Sequence, residues 1–444
     1  MGRTVALVSL GCAKNLVDSE IMLGLLEEAG YDLVEDVEDA QVIIVNTCAF
    51  IEPAVEESVE ALLDLADLKA DRAECLVCAG CLTSRYGQAL LRQMPELDAL
   101  VGPGSVADIA AVIERCLAGE RVVGAAAPPF LHSAAMPRVH TGPRWLAHVK
   151  IADGCSHRCA YCLIPQLRGP YRSRPPGDVR AEVAGLIGEG MREICMIAQD
   201  TTAWGRDLQG EHCLAGLLGS LELGGWDGWL RLQYLHPAGI SDELLAVVAG
   251  REQMVPYFDI PLQHAHEAVL RRMGRGGDAD RHLALLERVR AAVPDAALRT
   301  TVIVGHPGET RERFERLLEF VQEARFDRLS AFVYWDEPGT RSERLGEKVP
   351  QEEARDRLDE LMALQQEISQ EINRAFVGQR LRVLVEGPGD EAGTVVGRTY
   401  RDAPEVDGNA IIRDGPQVPP AGRFVEVMVT EAFEHDLRGR AVER

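Results

Sequence analysis

Lys150-Ile-Ala-Asp-Gly-Cys-Ser-His-Arg-Cys-Ala-Tyr-Cys162 sets Cys155, Cys159 and Cys162 in a C-x3-C-x2-C spacing, directly after an apolar, strand-like run over 145–151. Three thiolates on one short loop can each ligate an iron of a cubane cluster. The fourth iron is then left open for a small chelating molecule. Structural zinc usually takes four ligands, often as two C-x2-C knuckles, and no paired fourth cysteine lies nearby. A metal-free loop with three cysteines in eight residues would oxidise easily.

At 444 residues the chain exceeds one ordinary core, so several domains are expected. The apolar fraction of 46% suits a globular protein. No run approaches the ~18 uninterrupted apolar residues of a membrane span. The N-terminus has no basic region followed by an apolar stretch and cleavage site. The expectation is a cytoplasmic protein without a membrane partner, whose eleven cysteines are metal ligands or buried thiols rather than disulfides. A formal net charge of −23 argues against a sequence-independent polyanion binder and suits a basic partner, although acidity also maintains solubility.

Upstream of the loop, up to residue 125, apolar runs alternate with helical patterns. Strands are expected at 4–10, 41–45, 74–79 and 97–101, and helices at 18–29, 53–68, 84–94 and 106–117, with Ser84 and Ser105 as N-caps. This alternation implies an open parallel sheet with flanking helices. Cys12, Cys48 and Cys81 each follow one of these strands. Strand carboxyl ends share one edge of such a sheet, so the three thiols should converge and could hold a second cubane. The alternative is three small buried apolar residues. Cys75, Cys78, Cys116, Cys195 and Cys213 are read as structural, and 126–144, with Pro128, Pro129, Pro137 and Pro143, as a linker.

Downstream, six strand–helix units over 145–377 predict a partial (β/α)6 barrel, with strands at 146–152, 193–198, 229–235, 257–262, 298–304 and 328–335. Barrel chemistry sits at strand carboxyl ends, where the cysteine loop falls. A charged helix over 351–376 carries Leu358, Leu361, Leu364 and Ile368 on one face and should pack outside the barrel. Short β-runs at 380–386, 394–400, 409–413 and 423–430 predict a small OB-like β-barrel over 378–444. That segment has nine Arg and no Lys against twelve Asp and Glu, with one Tyr and two Phe. This composition favours a protein partner over nucleic acid.

The whole chain resembles the radical S-adenosylmethionine (SAM) methylthiotransferases. The resemblance rests on Ser9-Leu-Gly-Cys-Ala-Lys-Asn, Val45-Asn-Thr-Cys-Ala-Phe, Ala79-Gly-Cys-Leu-Thr-Ser-Arg-Tyr86 and the Cys155 loop, where Tyr161 fits the aromatic slot of the signature. It implies an N-terminal methylthiotransferase domain (1–125), a radical-SAM domain (145–377) and a C-terminal TRAM domain (378–444). It also implies two [4Fe-4S] clusters, one on Cys12, Cys48 and Cys81 and one on Cys155, Cys159 and Cys162. SAM would serve as radical source and methyl donor, and a flavodoxin or ferredoxin as electron donor. Ser9-Leu-Gly-Cys-Ala-Lys-Asn-Leu-Val-Asp-Ser-Glu20, Asp259-Ile-Pro-Leu-Gln-His264 and Asp402-Ala-Pro-Glu-Val-Asp-Gly408 resemble the branch that modifies an aspartate of small-subunit ribosomal protein S twelve.

An unactivated C–H bond has no useful acidity, so replacing a β-hydrogen of aspartate calls for a radical rather than a general base. Candidates for the SAM pocket are Tyr161, Gln199, Asp200, Gly305 and Glu309, with Gly305 and Gly308 allowing close backbone approach to an adenosine. Arg168, Arg172 and Arg174 either meet carboxylates or are solvated. The acidic C-terminal module is expected to favour a basic ribosomal protein. The competing readings are the same chemistry on a transfer-RNA adenosine, and a non-catalytic zinc nucleic-acid-binding protein.

Overall fold

Why the first sheet is parallel is visible in its side chains. Val42 and Ile44 enter one core while Ile43 and Val45 enter another, so both faces are apolar and both need helices. A computed structural model describes residues 2–124, 130–413 and 418–442. Its first sheet has six parallel strands in the order Asp32–Leu33, Thr4–Ser9, Val42–Thr47, Cys75–Gly80, Ala99–Val101 and Val122–Val123. Helices Ala13–Glu28 and Ile109–Leu117 cover one face, and Glu52–Asp71 the other. The single helix expected over 84–94 is two, Cys81–Tyr86 and Gln88–Gln93, broken at Gly87 with φ +51°. Ser84 therefore lies inside a helix. Ser105 precedes a short 3-10 turn without capping it through its side chain. Of the expected linker, Pro128 and Pro129 lie outside the described residues.

The central unit has six parallel strands in chain order. Leu146–Lys150, Glu193–Ile197 and Trp229–Leu232 form one half, and Tyr257–Asp259, Ala297–Val304 and Arg328–Val333 the other. The halves are joined by Val255 N–H to the Leu230 carbonyl (3.0 Å) and Leu235 N–H to the Asp259 carbonyl (2.8 Å). No strand pairing closes Leu146–Lys150 onto Arg328–Val333 among the described residues, so the barrel is incomplete. Ser241, Asp278 and Thr310 cap its helices by accepting backbone N–H groups. The helix Gln351–Arg374 packs Leu361 and Ile368 into the barrel's outer core.

On the inner side of the first half, Leu146, Cys195 and Ile197 pack with Val17, Ile21 and Leu26 of the first unit. The first unit thus covers the barrel's open flank. The C-terminal unit is a closed five-stranded barrel in the order Arg380–Pro388, Thr394–Thr399, Ala410–Arg413, Leu437–Val442, Phe424–Ala432. Its fifth strand, Leu437–Val442, was not expected, because Arg438, Gly439 and Arg440 hide the apolar alternation.

This last barrel seals the amino-terminal end of the strands above it. Leu384 and Ala403 pack with Trp229, Val255, Tyr257 and Ala297. Buried ion pairs ring the contact. Glu193 holds Arg231 (2.6 Å) and Arg398 (2.7 Å), Asp402 holds Arg328 (2.6 Å), and Asp407 holds Arg299 (3.2 Å) while accepting from the Tyr257 hydroxyl (2.6 Å). Two of the acidic module's carboxylates are thereby withdrawn from its surface charge, while Glu405 between them stays exposed. Asp402 and Asp407 are buried joints between two units, since an unpaired buried Arg would be far costlier than the pair. They present no charge to a basic partner.

Candidate active site: two cysteine triads at one junction

Cys12 is the N-cap of helix Ala13–Glu28, Cys48 follows strand Val42–Thr47, and Cys81 opens helix Cys81–Tyr86. Their three strands are neighbours, so the thiols share one sheet edge. Cys12 and Cys48 flank the point where strand order reverses. The loops touch: a Cβ on Gly11 (φ +88°) would sit 2.7 Å from Cys48 Cβ and 3.2 Å from its Sγ. Ser58 fixes Cys48 by accepting its N–H (3.1 Å) and donating to its carbonyl (2.8 Å).

The thiols also feel one another. Burial pushes the Cys48 thiol up to about 11, with Cys12 and Cys81 adding to the push. Burial also raises Cys81, against the pull of Arg168. Burial would raise Cys12 too, but Lys14, Arg168 and the backbone amides of Asn15 and Lys14 bring it below the ordinary thiol value. Three interacting thiols on one sheet edge suit a three-cysteine cluster site. Gly80 (φ +90°) lets the chain turn into Cys81 tight against the neighbouring strand, because a Cβ there would collide with Asn46 Oδ1 and the Thr47 carbonyl. Gly80→Ala is expected to displace Cys81 and lower reconstituted iron from about eight to about four per chain, measured by iron assay on folded protein.

The second triad lies on the loop after Leu146–Lys150. Gly154 (φ +76°) turns the chain so tightly that a Cβ would strike the Pro170 carbonyl. Cys155 N–H donates to the Gly169 carbonyl (3.0 Å), and Ala160 N–H to the Met273 carbonyl (2.6 Å). Burial, with a smaller push from the neighbouring Cys159, lifts Cys155 to about 11 and Cys162 to about 12. Arg275 lies against Cys159, with Nη1 3.8 Å from Sγ. This donor set also fits a cubane bound by three cysteines.

A buried ionic network locks the two triads together. Lys150 Nζ contacts Asp18 and reaches Asp153 Oδ2 (2.9 Å). Arg168 Nη1 is 3.1 Å from both Asp18 Oδ2 and Asp153 Oδ2, and its Nη2 donates to Asn15 Oδ1 (2.5 Å). Arg168 thus meets carboxylates from both units and lies beside the first triad. Arg174 meets Asp178 and Glu182, and Arg172 donates to the Phe130 carbonyl (3.2 Å).

The candidate SAM residues divide into two groups. Asp200 is engaged by His157 Nε2 (2.6 Å), whose ring lies flat on His236 at 4.3 Å and so clamps the cysteine loop to the rim. Glu309 is fully used internally by Arg357 (2.6 Å), His264 (3.1 Å) and the Gly305 N–H (2.9 Å). The space beside Gly305 is filled by Ala354 and that beside Gly308 by Arg272, so packing accounts for both glycines. Tyr161 is placed against Cys159 and Arg275. Gln199 donates to Asp153 Oδ1 (3.2 Å), and its Oε1, like that of Gln233, is a buried acceptor without a partner among the described residues. Such acceptors suit a ligand's amino group.

Three participants were not read from sequence: Asp18, Lys150 and Tyr234. The first two stand inside quoted motifs, but only the fold pairs them. Tyr234 takes φ +61°, rare for a non-glycine residue, and puts its ring 3.2 Å from Lys14 Nζ. Lys14 pulls its phenol down, while burial, with Cys12 and Asp259, leaves it above its ordinary value.

Comparisons with known proteins agree with this anatomy. Residues 4–102 match Uncharacterized protein family UPF0004, residues 149–321 the Radical SAM superfamily, and residues 377–442 the TRAM domain. The chain is 47% identical to the ribosomal protein uS12 methylthiotransferase RimO of Anaeromyxobacter sp. (strain K), covering 100% of this chain and 94% of that protein. It is 44% identical to the RimO of Pelotomaculum thermopropionicum over the full length of both. Among solved structures, the radical S-adenosylmethionine methyltransferase TsrM from Kitasatospora setae shares the fold, with TM-score 0.56 and 15% identity over 89% of this chain and 81% of that one. The chain belongs to the RimO family of ribosomal protein uS12 methylthiotransferases, within the radical SAM superfamily.

Proposed function

We propose that this chain is a radical-SAM methylthiotransferase that replaces a β-carbon hydrogen of an aspartate in ribosomal protein uS12 with a methylthio group. One observation carries the reading. Two separate cysteine triads, Cys12/Cys48/Cys81 and Cys155/Cys159/Cys162, face one junction held rigid by Asp18, Lys150, Asp153 and Arg168. Each triad would hold a [4Fe-4S] cluster with one open iron. Bound there, the clusters and SAM would supply hydrogen-abstraction, sulfur-transfer and methylation chemistry, with electrons from an external one-electron reductant.

The protein's share is placement and exclusion of water. His157, Asp200 and His236 fix the barrel loop, Gln199 and Gln233 offer acceptors at the rim, and Asn15, Asp18 and Arg168 fix the first triad against it. The C-terminal barrel closes the opposite end. No helix among the described residues is long and apolar enough to cross a membrane.

Anaerobically reconstituted protein, SAM and a chemical reductant should be incubated with purified uS12 and, separately, with transfer RNA. Mass spectrometry is expected to find uS12 heavier by one methylthio group less one hydrogen, on a single aspartate. Modification confined to digested transfer RNA would sink the reading.

A further inference from the structure

The buried cations of this chain nearly all have carboxylate partners. Lys150 and Arg168 share Asp18 and Asp153, Arg138 has Glu20 and Glu182, and Arg357 has Glu309. Lys14 stands apart. It is only 7% exposed, yet no Asp or Glu oxygen lies within 4.0 Å of its Nζ among the described residues. Its ammonium rests instead on the face of Tyr234, 3.2 Å from the ring centroid. A ring face offsets only part of the cost of withdrawing an ammonium from water.

The neighbouring thiols do not require Lys14 for charge balance alone. Arg168 already stands beside Cys12 and Cys81, just as Arg275 stands beside Cys159 in the other triad.

Tyr234 is held in its unfavourable backbone conformation from both sides. Its N–H donates to Asp259 Oδ2 (2.9 Å), and its carbonyl accepts from Thr201 N–H (3.0 Å). Asp259 is in turn held by Arg299 (3.3 Å), and Arg299 by Asp407. Strain this well supported is typical of a functional site. The barrel thus presents Tyr234, and the first unit presents Lys14 two residues after Cys12, where the two units meet beside a triad.

Resting on the aspartate reading above, we propose that Lys14, seated on Tyr234, receives the carboxylate of the substrate aspartate and so determines specificity for an acidic side chain. The geometry of the reaction supports this. The carbon that loses hydrogen to the barrel side and gains sulfur from the first-unit side is bonded directly to the carboxyl carbon. A cation that holds the carboxylate must therefore lie between the triads, within ion-pair reach of that carbon. Lys14 follows Cys12 by two residues, meets the barrel through the Tyr234 ring, and carries no competing carboxylate among the described residues. A charge-assisted bond to Lys14 would both orient the β-carbon and complete the ammonium's coordination. A neutral nucleobase would leave it incomplete.

The test compares uS12 with a version whose modified aspartate, located by the mass-spectrometric experiment, is changed to asparagine. Binding is measured by fluorescence anisotropy to the cluster-loaded enzyme without reductant, so that no turnover is needed. Native enzyme is expected to prefer the aspartate form by about tenfold or more, the scale of one charge-assisted contact. Lys14→Met should abolish that preference, Lys14→Arg should keep most of it, and both should retain the iron content and cluster absorption of the native protein. An unchanged preference in Lys14→Met overturns the proposal while leaving the aspartate reading intact. Loss of iron in both variants also overturns it, by making Lys14 a support for the cluster. If native enzyme neither binds nor modifies uS12, the aspartate reading falls, and the proposal with it.

Discussion

Replacing Cys12, Cys48 and Cys81 together with alanine is expected to halve the iron of reconstituted protein, from about eight to about four per chain, and to abolish methylthiolation. Reductive cleavage of SAM should persist. The expectation follows from how separately the triads are built. Cys155, Cys159 and Cys162 are fixed by contacts within the barrel: Gly169, Met273, Arg275 and the His157–Asp200 clamp. None of these touches the three residues replaced. The first triad hangs on its own strand ends and on Ser58, and the Asp18, Lys150, Asp153 and Arg168 network that joins the two units contains none of the three cysteines replaced. Cys12 and Cys48 are half-buried outside the apolar cores and Cys81 alone of the three packs within one, so removing three sulfurs leaves the sheet core largely intact and circular dichroism should be close to native. Iron assay, 5′-deoxyadenosine production and product mass spectrometry give three independent readings. If SAM cleavage disappears while four irons and the fold remain, the two triads do not divide the labour.

How much of this was legible in the sequence depends on distance along the chain. The C-x3-C-x2-C loop is local, so its spacing alone implied a cluster and its strand-end position. The six barrel strands announced themselves as apolar runs because both faces are buried in the first four and one face is buried along most of Ala297–Val304. The first triad was harder. Cys12, Cys48 and Cys81 span 69 residues, and only the repeated strand-to-cysteine pattern joined them. What could not be read was which charges pair. Asp18 meets Lys150 and Arg168 across more than 130 residues, and nothing local distinguishes it from a solvated Asp on a helix. Tyr234 shows why strain escapes sequence reading. A tyrosine at φ +61° has no signature, because its conformation is imposed by Asp259 and Thr201. Packing at Gly305 and Gly308 escapes sequence reading for a related reason: Ala354 and Arg272, distant in sequence, occupy the space a Cβ would take.

The acidic segment Asp402–Asp407 yields the sharpest test of a surface argument against a structural one. Were these carboxylates a docking face for a basic partner, Asp402→Ala would weaken partner binding and leave stability almost untouched, since exposed charges contribute ~0–1 kcal/mol. Asp402 is instead 2% exposed, accepts from Arg328 Nη2 (2.6 Å) and Nε (3.1 Å), and takes the Thr399 hydroxyl (2.7 Å). Removing it leaves the Arg328 guanidinium buried with only the Asp327 and His435 carbonyls. Breaking one partner of a buried pair typically costs ~3–5 kcal/mol. Asp402→Ala should therefore unfold in urea at a clearly lower midpoint and become open to proteolysis between the helix ending at Arg374 and the strand starting at Arg380. The same joint predicts acid sensitivity. Glu193 is lowered to about 2 from an ordinary 4.5, burial opposing and Arg398 and Arg231 prevailing. A depressed carboxyl stabilises the folded form fully above its unfolded value and loses that contribution as pH falls through the folded one. The C-terminal barrel should thus stay docked above about pH 4.5 and loosen progressively toward pH 2, with Asp402, lowered by Arg328 and Arg401 against burial, adding in the same direction. Proteolysis across that window, with native protein and Asp402→Ala side by side, separates the readings. A surface role predicts no difference between them, whereas a joint predicts that the variant opens at a higher pH.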